Sequence, residues 1–261
     1  MARIEVEYFS NALVRPVKFR VVLPNDPRTD IPQPENPYLD RSMKTLFNLP
    51  GYTGGAGWGD QAAATKYNTA IISVYGENMF YLDNGAPCGK HATFVGEELI
   101  DYVRKTFKLA LRPEDTYITG ISMGGYGALR TALAHPETFS KAAGQSSGLS
   151  IHAIAHMKPG EERRGRSYEF YRFIYGDLET VEESPANPEF LVKQILAEGK
   201  KMPEIYMCCG TEDSLIEPNR TLHRFLTEHG VAHTYEESAG GHDSVFWNEY
   251  TPKVMKWLFE A

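Results

Sequence analysis

Residues 120–128 contain a serine whose neighbours could make it a nucleophile. They read Gly-Ile-Ser-Met-Gly-Gly-Tyr-Gly-Ala, so that Ser122 stands between Gly120 and Gly124. A strand-like apolar run precedes this segment and a helix-like run follows it, which is the context of a nucleophile elbow. In so tight a turn, the residues two before and two after the serine must be small, because a larger side chain would collide with the neighbouring backbone. The hydroxyl of Ser122 would lie at the positive end of a helix. Ser122 is therefore the candidate nucleophile.

A serine hydroxyl needs a base to take its proton, and the base needs a carboxylate to orient it. His242 is the candidate base, because it lies in the segment Ala-Gly-Gly-His-Asp between the last predicted strand and the last predicted helix. Asp213 is the candidate acid, because it closely follows a predicted strand. Glu212 and Glu217 stay open as weaker choices. Asp243 is disfavoured, because a residue adjacent to the base seldom reaches its Nδ1.

The reaction would also need N–H donors for the oxyanion of a tetrahedral intermediate. One is expected to be the backbone N–H of Met123, the residue after the nucleophile. The second is expected to be the N–H of Tyr52, in the turn Pro-Gly-Tyr-Thr-Gly-Gly, where Gly51 allows a close approach to the substrate. Losing one such donor costs about 3 kcal/mol of transition-state stabilisation. A phosphate-binding loop is rejected, because no Lys-Ser or Lys-Thr follows this turn.

Strand-like and helix-like segments alternate along most of the chain, which predicts a mostly parallel sheet with helices on both faces. The eight predicted strands are 4–9, 17–23, 44–49, 69–75, 115–121, 140–146, 204–209 and 233–237, of which the first two should form a hairpin. The predicted helices are 60–66, 94–107, 124–134, 188–197, 218–229 and 247–259. Ser122 then lies at the carboxyl ends of the strands, where active sites of such sheets occur.

Residues 149–190 interrupt this alternation and are rich in charged and aromatic side chains. They are predicted to be a lid-like insertion over the carboxyl edge of the sheet, within a single domain that covers residues 1–261. His152 and His156 are four residues apart and could share a helical face. A metal site there is not expected, because no glutamate lies between them and no third ligand is apparent. No cofactor is expected either.

The composition of the 261 residues excludes several classes of protein. It is 42% hydrophobic and 23% charged, with a net charge of -7, which argues against a nucleic-acid or anionic-membrane partner. No apolar run approaches the ~18 residues of a membrane span, and the chain opens on a strand pattern rather than a signal peptide. The three cysteines, Cys88, Cys208 and Cys209, favour free thiols in a reducing compartment. A cytoplasmic location is therefore predicted.

Four segments together resemble the esterase D-like α/β-hydrolases, which include tributyrin, feruloyl and acetyl-xylan esterases, S-formylglutathione hydrolases and mycolyltransferases. They are 120–128, 209–215, 241–247, and Phe80-Tyr81-x-Asp83 with the Glu97-Glu98-Leu99 that follows it. The resemblance spans most of the chain and is most specific at the elbow. It implies an α/β-hydrolase fold, an eight-stranded mostly parallel sheet with a small lid. It also implies that Ser122, Asp213 and His242 are nucleophile, acid and base, in the chain order of that fold.

The chain departs from this family at the end of the strand before the oxyanion turn. Family members usually have His-Gly there, whereas this sequence has Pro50-Gly51. The N–H of Tyr52 can still serve as a donor, but the side-chain hydrogen bonds of that histidine are lost.

Aromatic and apolar side chains near the same edge form the candidate substrate pocket, namely Trp58, Met79, Phe80, Phe246 and Trp247. For Phe80 and Phe246, a place in the core is an equal alternative. The short insertion disfavours long acyl chains. We therefore expect a serine carboxylesterase that forms an acyl-enzyme and hydrolyses small esters of short or aromatic acids, such as acetyl or feruloyl groups on plant-derived sugars.

Two alternatives stay open. An S-formylglutathione hydrolase-type thioesterase would act on glutathione thioesters and be inhibited by thiol reagents. A hydrolase fold retained as a binding module would have no activity, although the three site residues argue against it. A homo-oligomer is consistent with the resemblance, because lid segments of such small esterases often pack at subunit contacts.

Overall fold

A sheet of eight strands runs through the part of the chain that the structure describes. The computed structural model describes residues 1–24, 30, 35–57 and 59–260. The strands are β1 (Ala2–Ser10), β2 (Arg15–Leu23), β3 (Lys44–Leu49), β4 (Thr69–Val74), β5 (Thr116–Ile121), β6 (Lys141–Gln145), β7 (Glu162–Arg163), β8 (Arg166–Ser167), β9 (Glu204–Gly210) and β10 (His233–Ser238). The sheet has the order β1-β2-β4-β3-β5-β6-β9-β10, and β7 pairs with β8 outside it. Because the strands from β4 to β10 in this order pair in parallel, their carboxyl ends meet at one edge.

Helices cover both faces of this sheet. They are α1 (Gln61–Lys66), α2 (His91–Thr93), α3 (Leu99–Phe107), α4 (Met123–Ala134), α5 (Ile151–Ile154), α6 (Tyr168–Tyr175), α7 (Pro188–Ala197), α8 (Ile216–Glu228) and α9 (Ser244–Glu260). Helices α3, α4, α7 and α8 bury apolar side chains on one face of the sheet, and α1 and α9 bury theirs on the other. Strand residues alternate between the two clusters, as Leu46 and Phe47 do, because successive side chains point to opposite faces. None of the described helices combines the length and the apolar character needed to cross a bilayer.

The predicted α/β architecture is confirmed, and the predicted strands and helices all occur with ends shifted by a few residues. The helix predicted over 94–107 consists of a π-helical segment (Phe94–Glu98) followed by α3. The shift at the start of the last helix has a visible cause. Helix α9, predicted from residue 247, begins at Ser244 because the carboxylate of Asp243 accepts hydrogen bonds from the N–H groups of Val245 and Phe246. Such capping satisfies donors that the first turn of a helix leaves free.

The segment 149–190 contains α5, the β7-β8 hairpin, α6 and a 3-10 turn (Val181–Glu183). Its side chains Tyr171, Ile174 and Tyr175 are buried in the apolar cluster that also holds α4. The hydroxyl of Tyr126 in α4 donates a hydrogen bond of 2.6 Å to the carbonyl oxygen of Ala186. The insertion is therefore packed against the helix that follows Ser122.

A cluster of charged side chains ties the insertion to α7. His152 contacts Glu182 through Nδ1 at 2.6 Å and Glu189 of α7 through Nε2 at 2.9 Å. The hydrogen bond to Glu189 is the main cause that raises the pKa of His152 to about 9, and Glu182 adds to it. His156, the other histidine considered as a metal ligand, contacts Glu179 at 3.0 Å. Across the described ranges, no group of three or more His, Cys, Asp or Glu is placed to hold a metal ion.

The raised pKa of His152 predicts a pH-dependent contribution to stability. A group whose pKa is higher in the folded state stabilises fully below its unfolded pKa, and that stabilisation is lost as pH rises through the folded pKa. His152→Gln should therefore lower the free energy of unfolding below pH 6.5, and the effect should fade as pH rises through about 9. Urea unfolding at several pH values measures the difference from the native sequence. Glu189→Gln should remove most of the same pH dependence. Parallel pH profiles for the native sequence and His152→Gln would contradict the assignment.

Candidate active site

Ser122 lies in the turn from β5 to α4, with backbone angles φ 58° and ψ -118°. A positive φ is costly for a residue with a side chain, so the surroundings must hold this conformation. The N–H of Ser122 donates to the carbonyl oxygen of Gln145 at 2.8 Å. Its own carbonyl oxygen accepts from the N–H groups of Gly148 at 2.8 Å and Tyr126 at 3.1 Å. Hydrogen bonds to three segments therefore fix the backbone of the serine.

Gly120 and Gly124 let two backbone segments touch beneath the serine. A Cβ on Gly124 would lie 1.9 Å from the carbonyl oxygen of Leu49, and one on Gly120 would lie 2.3 Å from the carbonyl carbon of Gly124. The end of β3 therefore packs directly on the elbow. This contact also brings the next turn close, because a Cβ on Gly51 would lie 3.5 Å from the Cβ of Ser122.

A histidine and an aspartate from two other loops form a hydrogen-bonded chain with Ser122. Nε2 of His242 is 2.9 Å from Oγ of Ser122, and Nδ1 of His242 is 2.8 Å from Oδ2 of Asp213. His242 lies between β10 and α9, and Asp213 follows β9, so all three residues lie at the carboxyl edge of the sheet. In such an arrangement the imidazole can take the hydroxyl proton, while the carboxylate fixes the tautomer and stabilises the imidazolium.

The carboxylate of Asp213 is buried, with a side-chain exposure of 0%. Burial alone would raise its pKa, but hydrogen bonds from His242, the N–H of Leu215 and the hydroxyl of Ser146 outweigh burial, and the pKa is lowered. The N–H of Leu215 donates to Oδ1 at 2.8 Å, which leaves Oδ2 to His242. Asp213 is therefore anionic at neutral pH, and its Oδ2 accepts the hydrogen bond from the imidazole.

The other carboxylates that the sequence left open have different partners. Glu212 accepts a hydrogen bond from the N–H of Gly240 and so shapes the loop that leads to His242. Glu217 forms an ion pair within α8, and Asp243 caps α9. Among the contacts of the described residues, none of these three carboxylates reaches His242.

Two backbone N–H groups beside Ser122 have no hydrogen-bond partner in the part of the chain that the structure describes. Within the described residues, the N–H groups of Tyr52 and Met123 donate no hydrogen bond to the protein. Met123 directly follows Ser122, and Tyr52 follows Gly51, whose backbone packs on the serine. Free N–H groups in these positions can donate hydrogen bonds to a ligand oxygen beside the hydroxyl.

Two side chains hold the turn that carries Tyr52. The hydroxyl of Tyr81 donates to the carbonyl oxygen of Pro50 at 2.7 Å, and the N–H of Thr53 donates to Oδ1 of Asn78 at 2.6 Å. Sequence reasoning missed both residues. Tyr81 stood in a segment that carried the family resemblance, but nothing in the sequence connected it to Pro50. These bonds hold the turn in a chain that lacks the histidine usual at this point in similar sequences.

The model of the Esterase family matches residues 10–257, a span that contains Ser122, Asp213 and His242. The chain belongs to this family. An acetyl esterase from Caldicellulosiruptor saccharolyticus is 34% identical over 267 residues, which cover 99% of this chain and 98% of that protein. The protein is therefore a carboxylic ester hydrolase.

Two solved structures have the same fold as this esterase. One is FphF of Staphylococcus aureus, described as a fluorophosphonate-binding serine hydrolase, with a TM-score of 0.80, 24% identity and coverage of 99% of this chain and 98% of that chain. The other is the S-formylglutathione hydrolase FrmB of Staphylococcus aureus, with a TM-score of 0.79 and the same identity and coverage. The α/β-hydrolase fold and the esterase resemblance expected from the sequence are confirmed.

The predicted pocket residues of the esterase lie in several different places. Trp247 is beside the site, because its indole ring meets the His242 ring edge to face with centroids 5.0 Å apart. Its Nε1 donates to Oγ of Ser146 at 3.1 Å. Met79 is half-buried against the core, and Phe80 is buried near Tyr52, with ring centroids 6.1 Å apart. Trp58 lies outside the described residues.

Phe246 lies in the core, which the sequence left open as an equal alternative to the pocket. It is buried at 2% exposure and stacks on Tyr250 within the core cluster beneath α9, with ring centroids 4.4 Å apart. The cause is the early start of α9, which directs Phe246 to the sheet and leaves the next residue, Trp247, against His242.

The three cysteines of the esterase are all free thiols. Cys208 and Cys209 are buried in β9, and burial raises the pKa of both, that of Cys209 to about 12. Both are therefore protonated and poorly reactive near neutral pH. Cys88 is exposed. The predicted cytoplasmic location stays a prediction.

The contact between Gly124 and Leu49 predicts a large loss of stability for Gly124→Ala. Alanine in a helix gains about 1 kcal/mol over glycine from propensity. The new Cβ would lie 1.9 Å from a backbone oxygen, however, so the clash outweighs that gain. We expect the free energy of unfolding to fall by about 3 kcal/mol, the upper end of typical overpacking costs. Urea unfolding measures it.

Gly85→Ala is the matched control, because a Cβ there meets nothing within 4 Å. Its free energy of unfolding should change by about 0.5 kcal/mol or less. Equal effects of the two substitutions would show that the elbow tolerates a side chain at position 124.

Proposed function

We propose that Ser122 is the nucleophile, His242 the general base and acid, and Asp213 the orienting carboxylate of a serine carboxylesterase. One observation carries this proposal, namely the continuous chain from Oγ of Ser122 through both imidazole nitrogens to Oδ2 of Asp213. The lowered pKa of Asp213 supports it, because the carboxylate is then charged when the imidazolium forms. The non-catalytic alternative does not fit a member of an enzyme family.

The proposed reaction has two halves with balanced proton transfers. Oγ of Ser122 attacks the ester carbonyl carbon while its proton passes to Nε2 of His242. The tetrahedral intermediate collapses, the alcohol leaves with the proton from Nε2, and the acyl group stays on Oγ. A water molecule then gives a proton to Nε2 and attacks the acyl carbon. When this second tetrahedral intermediate collapses, Nε2 returns its proton to Oγ of Ser122, which restores the hydroxyl and releases the acid.

The N–H groups of Tyr52 and Met123 are the proposed oxyanion hole. Their lack of partners in the described chain supports this assignment, since a donor bound to the protein could not bind the substrate oxygen as well. Tyr81 acts through the turn as a positioning residue, because it holds the carbonyl of Pro50 two residues before the Tyr52 donor. Preorganised donors cost no rearrangement when charge develops in the transition state.

We propose short-chain acyl esters, with acetyl esters first, as the substrates. The 34% identical relative that spans nearly the whole chain is named an acetyl esterase. The segment 149–190 of this single domain would act as a small lid, since Arg166 of its hairpin lies 4.5 Å from the centre of the Tyr52 ring. Such a cover leaves limited room for a long acyl chain. Feruloyl esters and glutathione thioesters are the alternatives that a substrate panel can decide.

Ser122→Ala should abolish ester turnover and labelling by a fluorophosphonate probe. The melting temperature should hardly change, because His242 is the one hydrogen-bond partner of this hydroxyl among the described residues. Turnover of p-nitrophenyl acetate, in-gel fluorescence of the labelled protein and thermal unfolding are the three measurements. Retained turnover together with a large loss of stability would mean that Ser122 has a structural role.

A panel of p-nitrophenyl acetate, butyrate and octanoate, methyl ferulate and an S-acyl glutathione tests the acyl group. The expected order is acetate at or above butyrate and both well above octanoate, because the lid limits the space beside Ser122. Fastest turnover of octanoate would contradict the small pocket. A higher kcat/KM for the thioester than for the oxygen esters would favour the thioesterase alternative.

A further inference from the structure

The β7-β8 hairpin of the insertion is attached to two of the loops that surround Ser122. Its turn consists of Arg164 and Gly165, both with positive φ (51° and 69°), which is the pattern of a tight two-residue hairpin. Arg164 donates through Nη2 to the carbonyl oxygen of Ser214 at 3.1 Å, and Ser214 is next to Asp213. In β8, which follows the turn, Cζ of Arg166 lies 4.5 Å from the ring centre of Tyr52. The hairpin therefore reaches both the acid loop and the oxyanion turn.

These two guanidinium groups have no carboxylate partner in the part of the chain that the structure describes. The contrast with Arg163 in the same hairpin is clear, because Arg163 pairs with Glu161 at 3.4 Å. Arg166 instead stacks on the rings of Tyr52 and Phe170. A stacked guanidinium keeps its N–H edge free for a carboxylate or phosphate. Among the described residues of a chain with net charge -7, Arg164 and Arg166 are thus two cations beside the site that make no ion pair.

Both charges also lie near Tyr171. Burial raises the pKa of Tyr171, and both Arg166 and Arg164 oppose that rise, so both act on the same phenol. Tyr171 itself donates to the carbonyl oxygen of Arg163 and so holds the hairpin. Both guanidinium groups therefore lie within electrostatic range of one buried phenol, which also holds the backbone of the hairpin.

The position of Arg164 indicates which part of a substrate would meet this charge. The leaving oxygen must take its proton from Nε2 of His242, so the leaving group lies on the histidine side of Ser122. Arg164 binds Ser214, the residue after Asp213, and Asp213 contacts the same histidine. Arg164 is therefore attached to the loop whose carboxylate orients the histidine that protonates the leaving group.

We propose that Arg164 and Arg166 are specificity-determining residues that favour esters whose leaving group carries an anionic substituent, such as a carboxylate. This inference rests on the proposed esterase mechanism at Ser122. The acyl group stays small, as proposed above, and the negative charge belongs to the part that leaves. Electrostatic attraction between the two guanidinium groups and an anionic substrate acts mainly on the rate of substrate binding and weakens with added salt.

The test compares two acetate esters that differ in charge but hardly in shape, 3-carboxyphenyl acetate and 3-carbamoylphenyl acetate. The readout is the ratio of their kcat/KM values, anionic over neutral, in the native sequence and in Arg164→Gln, Arg166→Gln and the double variant. Differences in intrinsic reactivity cancel, because each enzyme sees the same pair. Each single substitution should lower the ratio about two- to fivefold, as expected for a partly exposed charge pair. Added salt should lower the ratio of the native enzyme and hardly affect the double variant.

Arg172→Gln is the matched control, because Arg172 is an exposed arginine of the same insertion on α6. It should leave the ratio unchanged. Equal ratios in the native enzyme and the double variant, or an equal fall with Arg172→Gln, would overturn the proposal. A failure of the proposed mechanism looks different, since Ser122→Ala would then retain turnover of the neutral ester.

Discussion

The site depends on one backbone contact, the packing of the β5-α4 turn against the end of β3. Gly124 approaches Leu49 so closely that no Cβ fits between them. The same contact sets two features at once, because the chain continues from Leu49 into the turn that carries the N–H of Tyr52. The nucleophile and its proposed oxyanion donors are therefore placed by a single contact between backbone atoms, which has little freedom to relax.

The charge on Asp213 is the second constraint. A carboxylate with no exposed side-chain surface would tend to be neutral, yet three hydrogen-bond donors keep this one ionised. One of these donors, Ser146, also accepts a hydrogen bond from Trp247, whose ring lies against His242. Trp247 thus packs against the imidazole and is joined to the acid through Ser146.

Much of this arrangement could be predicted from the sequence, because the information is local. The glycines around Ser122 and the position of Asp213 after a strand are local patterns tied to backbone geometry. The fold class likewise follows from the alternation of strand and helix. The contacts that join distant segments could not be predicted, such as the bond from Tyr81 to Pro50 or the stacking of Arg166 on Tyr52. The different surroundings of Phe246 and Trp247 could not be predicted either. A shift of a few residues in the start of α9 decides which of the two rings faces the core.

The central claim is that the ester's acyl group is transferred to Oγ of Ser122. Rapid mixing of the esterase with p-nitrophenyl acetate, followed by acid quench, digestion and peptide mass analysis, tests it most directly. We expect a burst of nitrophenol and one acetyl group on the peptide that contains Ser122, with no such adduct in Ser122→Ala. An acetyl group on another residue, with Ser122 unmodified during turnover, would contradict it.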